Sequence, residues 1–146
     1  MKFERYSKRN AKRDFFLLPN EIFYLGLCSG ELAVYAYLIY REDRETFQCW
    51  PSHNTIGKAV GLSKNTVRKY VGLLEDKCFI KSEYTSIITK KGIKRNGNLK
   101  YTICPIEEVK ECYNQLLEKK RKNIKTTTEM NQWLEEYNRK NEYRVM

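Results

Sequence analysis

The chain has little of what catalysis needs. One histidine, His53, is all that 146 residues contain, and no P-loop, glycine-rich dinucleotide turn or HExxH run occurs. Ser52 and Ser63 read as helix caps first, since a nucleophile role lacks any partner base. The cysteines (Cys28, Cys49, Cys78, Cys104 and Cys112) are odd in number and none form a CxxC pair. With a single histidine they make no zinc-site pattern, and they read as reduced, small core residues of a cytoplasmic protein. No apolar run is long enough to span a bilayer, and the start has no signal-peptide arrangement. The expectation is a non-enzymatic protein of the cytoplasm, nucleoid-associated, without metal, cofactor, membrane contact or evident small-molecule ligand.

Acid is scarce too. Lys and Arg number 28 against 18 Asp and Glu, a formal net charge of +10. No acid occurs between Glu45 and Glu75, and none between Glu83 and Glu107. This imbalance favours an acidic partner such as nucleic acid. Ribosome association or an anionic surface would also tolerate it.

What is present centres on Pro51 to Cys78, PSHNTIGKAVGLSKNTVRKYVGLLEDKC. Ser52 can cap a first short helix whose apolar face is Ile56, Ala59 and Val60. Gly61 suits a left-handed exit, Leu62 can plug the corner, and Ser63 caps a second helix. That helix repeats Val67, Tyr70, Val71 and Leu74 at the spacing of one buried stripe. Gly57 stands where a side chain would push the two helices apart. The pattern is that of a helix-turn-helix. Asn65, Arg68, Lys69 and Gly72 lie opposite the stripe, with Lys64 and Thr66 beside the helix start. Arg suits the O6/N7 edge of guanine, Asn the N6/N7 edge of adenine, and Lys phosphate or guanine. The caps Ser52 and Ser63, beside these residues, are candidate DNA contacts as well. His53, at the entrance, is placed for a phosphate contact or mere exposure.

The run CWPSHNTIGKAVGLSKNTVRKYVGLLEDKCFI resembles the winged helix-turn-helix modules of bacterial regulators. It most resembles those of replication-initiation proteins of phages, plasmids and other mobile elements. Pro51-Ser52, Gly57, Ser63, Thr66-Val67, Leu74-Glu75 and Phe79-Ile80 carry the likeness, which covers roughly Ser29 to Ile103. It implies a winged fold; the module itself serves repressors, initiators and transfer proteins alike.

Around this centre, residues 1–14 read as a basic flexible leader able to become an arm along phosphates. Phe15 to Leu27 is apolar, interrupted by Pro19, and predicts a short segment packed on the core. Ser29 is expected to cap a helix through about Tyr40 that is apolar on most sides and therefore buried on most sides. Phe47 to Trp50 predicts a short first strand. After Cys78 the apolar period changes from 3.6 to 2, and KKGIKRNGN between the later strands carries Asn-Gly, a strong hairpin signal. This loop, residues 90–98, is the expected wing, with Lys90, Lys91, Lys94, Arg95 and Asn96 directed to DNA. From Pro105 a helix is predicted on the stripe Ile106, Val109, Tyr113, Leu116 and Leu117. After a polar break, Thr126 and Glu129 have capping-box spacing for another, with Met130, Trp133, Leu134 and Tyr137 as its apolar face.

The expected fold is thus α+β, mainly α: a winged helix-turn-helix over residues 15–104 with a β-hairpin wing and a helical extension over 105–146. The expected function is sequence-specific binding of double-stranded DNA, with helix 63–77 in the major groove and the wing on the backbone. The role would be transcriptional regulator or replication initiator of a mobile element. A homodimer is expected through the C-terminal helices. Two other readings stay open: an RNA- or ribosome-associated basic protein, and an interaction module built on a helix-turn-helix.

Overall fold

The computed structural model describes residues 15–142; the basic leader lies outside the described residues. A single 3-10 turn (Asn20–Phe23) precedes α1 (Ser29–Arg41), β1 (Gln48–Cys49), α2 (His53–Val60) and α3 (Lys64–Asp76). Then come β2 (Ile80–Glu83), β3 (Ser86–Ile88), β4 (Lys94–Asn96), β5 (Lys100–Ile103) and α4 (Ile106–Glu142). The fold is α+β, mainly α, a winged helix-turn-helix with a C-terminal helix. The chain divides into two compact units, one through Val109 and one from Lys110 onward.

Helix α1 buries Val34, Tyr35, Leu38 and Ile39 against both helices of the helix-turn-helix and against β5. The sequence places its N-cap at Ser29, but the chain enters through Cys28. The reason is Glu31, which accepts from the Cys28 N–H at 3.5 Å. Its carboxylate is buried and pinned by the Lys77 ammonium at 2.7 and 2.9 Å. Lys77 also donates to the Gly26 carbonyl at 2.9 Å, so one side chain ties the entrance of α1 to the end of α3. From the segment before α1, Ile22 and Leu25 reach the core, whereas Phe15 to Leu18 stay largely exposed.

The helix-turn-helix forms as its local chemistry dictates. Ser52 Oγ accepts from the Thr55 N–H at 3.1 Å, and Ser63 Oγ from the Thr66 N–H at 3.2 Å. Gly61 takes φ 75° at the exit of α2 and donates to the Gly57 carbonyl. A Cβ on Gly57 would stand 2.4 Å from the Leu62 carbonyl oxygen, so only glycine admits this turn. Ile56, Val67, Val71 and Leu74 are buried; Ala59, expected on the apolar face, is exposed.

Three antiparallel strands lie in the order β1-β5-β2, with Cys49 opposite Tyr101 and Ile80 opposite Ile103. Phe47, expected at the start of the first strand, is at φ 57° and outside it. Its carbonyl still accepts from the Ile103 N–H at 2.9 Å. Tyr35 and Phe79 meet edge to face at 5.0 Å in the core. The wing is the separate hairpin β3–β4, paired from Ser86↔Asn96 to Ile88↔Lys94. Its turn is Thr89 to Ile93 with Gly92 at φ 75°, not the Asn-Gly pair that the sequence favours. Gly97 closes the base of the hairpin instead, donating to the Thr85 carbonyl at 2.8 Å. A Cβ there would meet the Thr85 hydroxyl at 2.5 Å, so the glycine serves a close approach rather than a turn.

One helix, not two, follows Pro105. The expected break at Thr126 does not occur, because the Thr126 and Thr127 hydroxyls donate to the Lys122 and Asn123 carbonyls at 3.0 and 2.8 Å. Bonded to the preceding turn, these residues continue the helix rather than capping a new one. At 37 residues, α4 is roughly 55 Å long.

Candidate nucleic-acid interface

Helix α3 presents its polar face as its periodicity requires. With Val67, Val71 and Leu74 turned inward, Lys64, Asn65, Arg68 and Lys69 are exposed on the far side. Lys64 and Arg68, four residues apart, stand one above the other. Thr66 is half-buried, and its hydroxyl shares a 2.8 Å hydrogen bond with Ser63.

The start of α2, the first turns of α3 and the base of the wing border a polar cleft of about 530 Å³. Five of the residues singled out from sequence line it: Ser52, His53, Lys64, Arg68 and Asn96. The other wing residues, Lys90, Lys91, Lys94 and Arg95, are exposed on the hairpin outside this cleft, as are Asn65, Lys69 and Ser63 on α3 and its cap. Asn54 and Asn98 line the cleft and were not singled out. Asn98 donates from Nδ2 to the Trp50 carbonyl at 3.1 Å, fastening the wing base to the strand that leads into α2. Nothing local marks that role, because the partners are 48 residues apart. The hairpin also exposes Ile87, Ile88 and Ile93, apolar side chains that the charge pattern alone does not bring out.

Of the two sequence readings of His53, a phosphate contact or mere exposure, simple exposure does not hold. The residue is half-buried, its Nε2 is shut off from solvent without a hydrogen-bond partner, and its ring lies 6.5 Å from that of Tyr101. Burial lowers its pKa, and the charges of Arg68 and Lys64 lower it further. The neutral ring therefore forms part of the cleft wall, and the positive charge comes from Lys64 and Arg68. Chemically, this arrangement suits an anion with hydrogen-bond acceptors, such as a phosphate. Among the described residues, no group of three or more His, Cys, Asp or Glu side chains is placed to hold a metal ion. No described helix is long and apolar enough to cross a membrane.

Residues 25–80 match the helix-turn-helix domain family. The matched stretch takes in α1, β1, α2 and α3 and ends as β2 begins. No curated protein matches the chain. Among solved structures, the chain is similar to a possible transcriptional regulator from Methanosarcina mazei Go1. The two share 17% identity over 75% of this chain and 81% of that one, with a TM-score of 0.48.

Proposed function

We propose that the chain is a sequence-reading binder of double-stranded DNA. Helix α3 enters the major groove, where Asn65 and Arg68 reach base edges while Lys64 and Lys69 hold the flanking backbone. Lys90, Lys91, Lys94 and Arg95 of the wing, with Asn96 at its base, lie along phosphates. The observation that carries this reading is the convergence of α2, α3 and the wing base on one cleft, bordered by Lys64 and Arg68 in a stretch of chain without acids. Such a module positions a helix by backbone contacts and leaves specificity to a few side chains.

Within that reading, the chain acts as a transcriptional regulator or a replication initiator of a mobile element. It works as a homodimer through α4, so that two recognition helices address two half-sites. Met130, Trp133, Leu134 and Tyr137 support the pairing, since all four are large, apolar in body and exposed, with Trp133 and Tyr137 stacked at 5.4 Å. The unbroken helix leaves no pair of short helices to exchange, so the pairing becomes a lateral contact between two copies of α4. Tyr113, Leu116, Lys120, Asn123, Thr127, Met130, Leu134 and Tyr137 recur at alternating spacings of three and four. Such a seam has apolar ends and a polar middle, which weakens pairing and helps set its register.

Selection of bound sites from a random duplex pool tests the proposal. Recovery of one short motif, with binding resistant to random duplex and to structured RNA, is the expected result. Binding that structured RNA removes as readily as the selected duplex would favour the RNA-associated reading. A pool that yields no motif would leave only a general polyanion binder.

A further inference from the structure

A second cavity lies on another part of the first unit and has the opposite character. It measures about 460 Å³ and is walled by Leu18, Tyr35, Ile39, Phe47 and Ile103. Two charged residues, Glu42 and the exposed Arg44, stand among these apolar walls. The Glu42 Oε2 is buried and has no hydrogen-bond partner. A carboxylate oxygen withdrawn from water without a donor is costly, and a native chain rarely leaves one so. Burial raises the Glu42 pKa, and the nearby charge of Arg44, which stays exposed, only partly offsets this.

The surroundings select the sign of what could answer that oxygen. Glu42 is the C-cap of α1, where the helix carbonyls and macrodipole favour a cation. Phe47 supplies the other unusual feature of the rim. It holds φ 57°, a conformation that a bulky side chain adopts at a cost, through a 2.8 Å bond from its N–H to the Asp43 carbonyl. That strain keeps a half-exposed aromatic ring at the cavity edge. An apolar cavity of a few hundred Å³ with one polar group of unmet bonding is the usual form of a small-molecule site.

We propose that this cavity binds an apolar small molecule carrying a protonated amine. Its body lies against Tyr35, Ile39 and Ile103, and its ammonium donates to the Glu42 carboxylate. The site is distinct from the polar cleft, and no residue lines both. It places a ligand-responsive site within the first unit itself.

Tryptamine and its neutral counterpart tryptophol, titrated calorimetrically into the full chain, provide the test. They share an indole and differ at the end that would meet Glu42. Tryptamine should bind, and tryptophol more weakly by roughly tenfold or more, the difference made by a charge-assisted hydrogen bond. Glu42→Gln should weaken tryptamine by a similar factor and leave tryptophol unchanged. The same variant should melt no lower than the parent at neutral pH, because it removes a desolvated charge. Equal affinity for the two probes, indifference of tryptamine to Glu42→Gln, or no binding of tryptamine at millimolar concentration would each overturn the proposal.

Discussion

Lys77 is the residue on which the junction of α1 and α3 depends. Its ammonium holds the buried Glu31 carboxylate at 2.7 and 2.9 Å, beside the longer bond from the Cys28 N–H, while keeping part of its own surface in water. Burial raises the Glu31 pKa, but the hydrogen bonds and charge of Lys77, with help from Cys28, more than reverse this and hold it below the usual carboxylate value. A depressed carboxyl contributes stability that is full above its unfolded pKa and is lost as pH falls through the folded one. Lys77→Met should therefore destabilise by roughly 2–3 kcal/mol at neutral pH, less than for a fully enclosed pair. The gap between parent and variant should close as pH is lowered below the ordinary carboxylate range, which urea unfolding at several pH values will show. A pH-independent gap would mean that Lys77 acts by packing alone. Its neighbour Cys78 poses a different problem. At φ 64° it occupies the left-handed position after α3, where the Phe79 N–H closes onto the Leu74 carbonyl at 3.0 Å. Glycine adopts that conformation freely. Cys78→Gly should raise stability by about 1 kcal/mol, reduced by whatever packing the half-buried thiol provides. The urea midpoint measures it, and a lowered midpoint would show that the thiol's packing outweighs the strain.

At the scale of elements, the proposed binding mode divides reading from holding between α3 and the wing hairpin. Arg68 and Asn65 project from a helix whose opposite face is locked into the core, so their geometry relative to a groove is set by Val67, Val71 and Leu74. Arg68→Ala or Asn65→Ala should cost roughly 1–3 kcal/mol on the selected site and relax the preference at one base position. Lys94 and Arg95 sit on a two-stranded hairpin with every residue of β3 and β4 exposed. Lys94→Ala or Arg95→Ala should weaken all duplexes about equally and flatten the salt slope by about 1. Wing variants that changed the selected motif would reverse these roles.

For the whole molecule, two measurements bear on charge and on assembly. If α3, the wing and the leader together neutralise about 6–8 phosphates, log K should fall against log[salt] with a slope of roughly −5 to −7. A slope near zero in duplex titrations would remove the DNA reading. The proposed dimer rests on α4, where the exposed side chains of Met130, Trp133, Leu134 and Tyr137 share the second compact unit. Sedimentation at tens of micromolar should show a dimer for the full chain and a monomer for Leu134→Glu with Met130→Glu. A monomeric parent, or a dimer that survives both charges, would contradict pairing through this helix.

What the sequence determined by itself is whatever depends on neighbours a few residues away. The Ser52 and Ser63 caps, the Gly57 and Gly61 turn and the Val67/Val71/Leu74 stripe were all legible, because each is satisfied within one or two turns of helix. The change of apolar period to 2 after Cys78 likewise announced strands, and Tyr101 lies buried on one of them. Tertiary structure decided what depends on residues far apart in the chain. Asn-Gly at 96–97 has the local chemistry of a tight turn, yet Gly97 is needed where the hairpin base approaches Thr85, and the turn moves to Gly92. Gly30 carries no local signal either, and only the ring of Tyr70, 2.3 Å from where its Cβ would be, explains it. The Glu31–Lys77 pair spans 46 residues and moves the start of α1 from the better capping residue to Cys28. The cleft shared by His53, Lys64, Arg68 and Asn96 is of the same kind. Local hydrogen bonds can be read from order along the chain, whereas desolvation and close approach depend on which segments the folded core brings together.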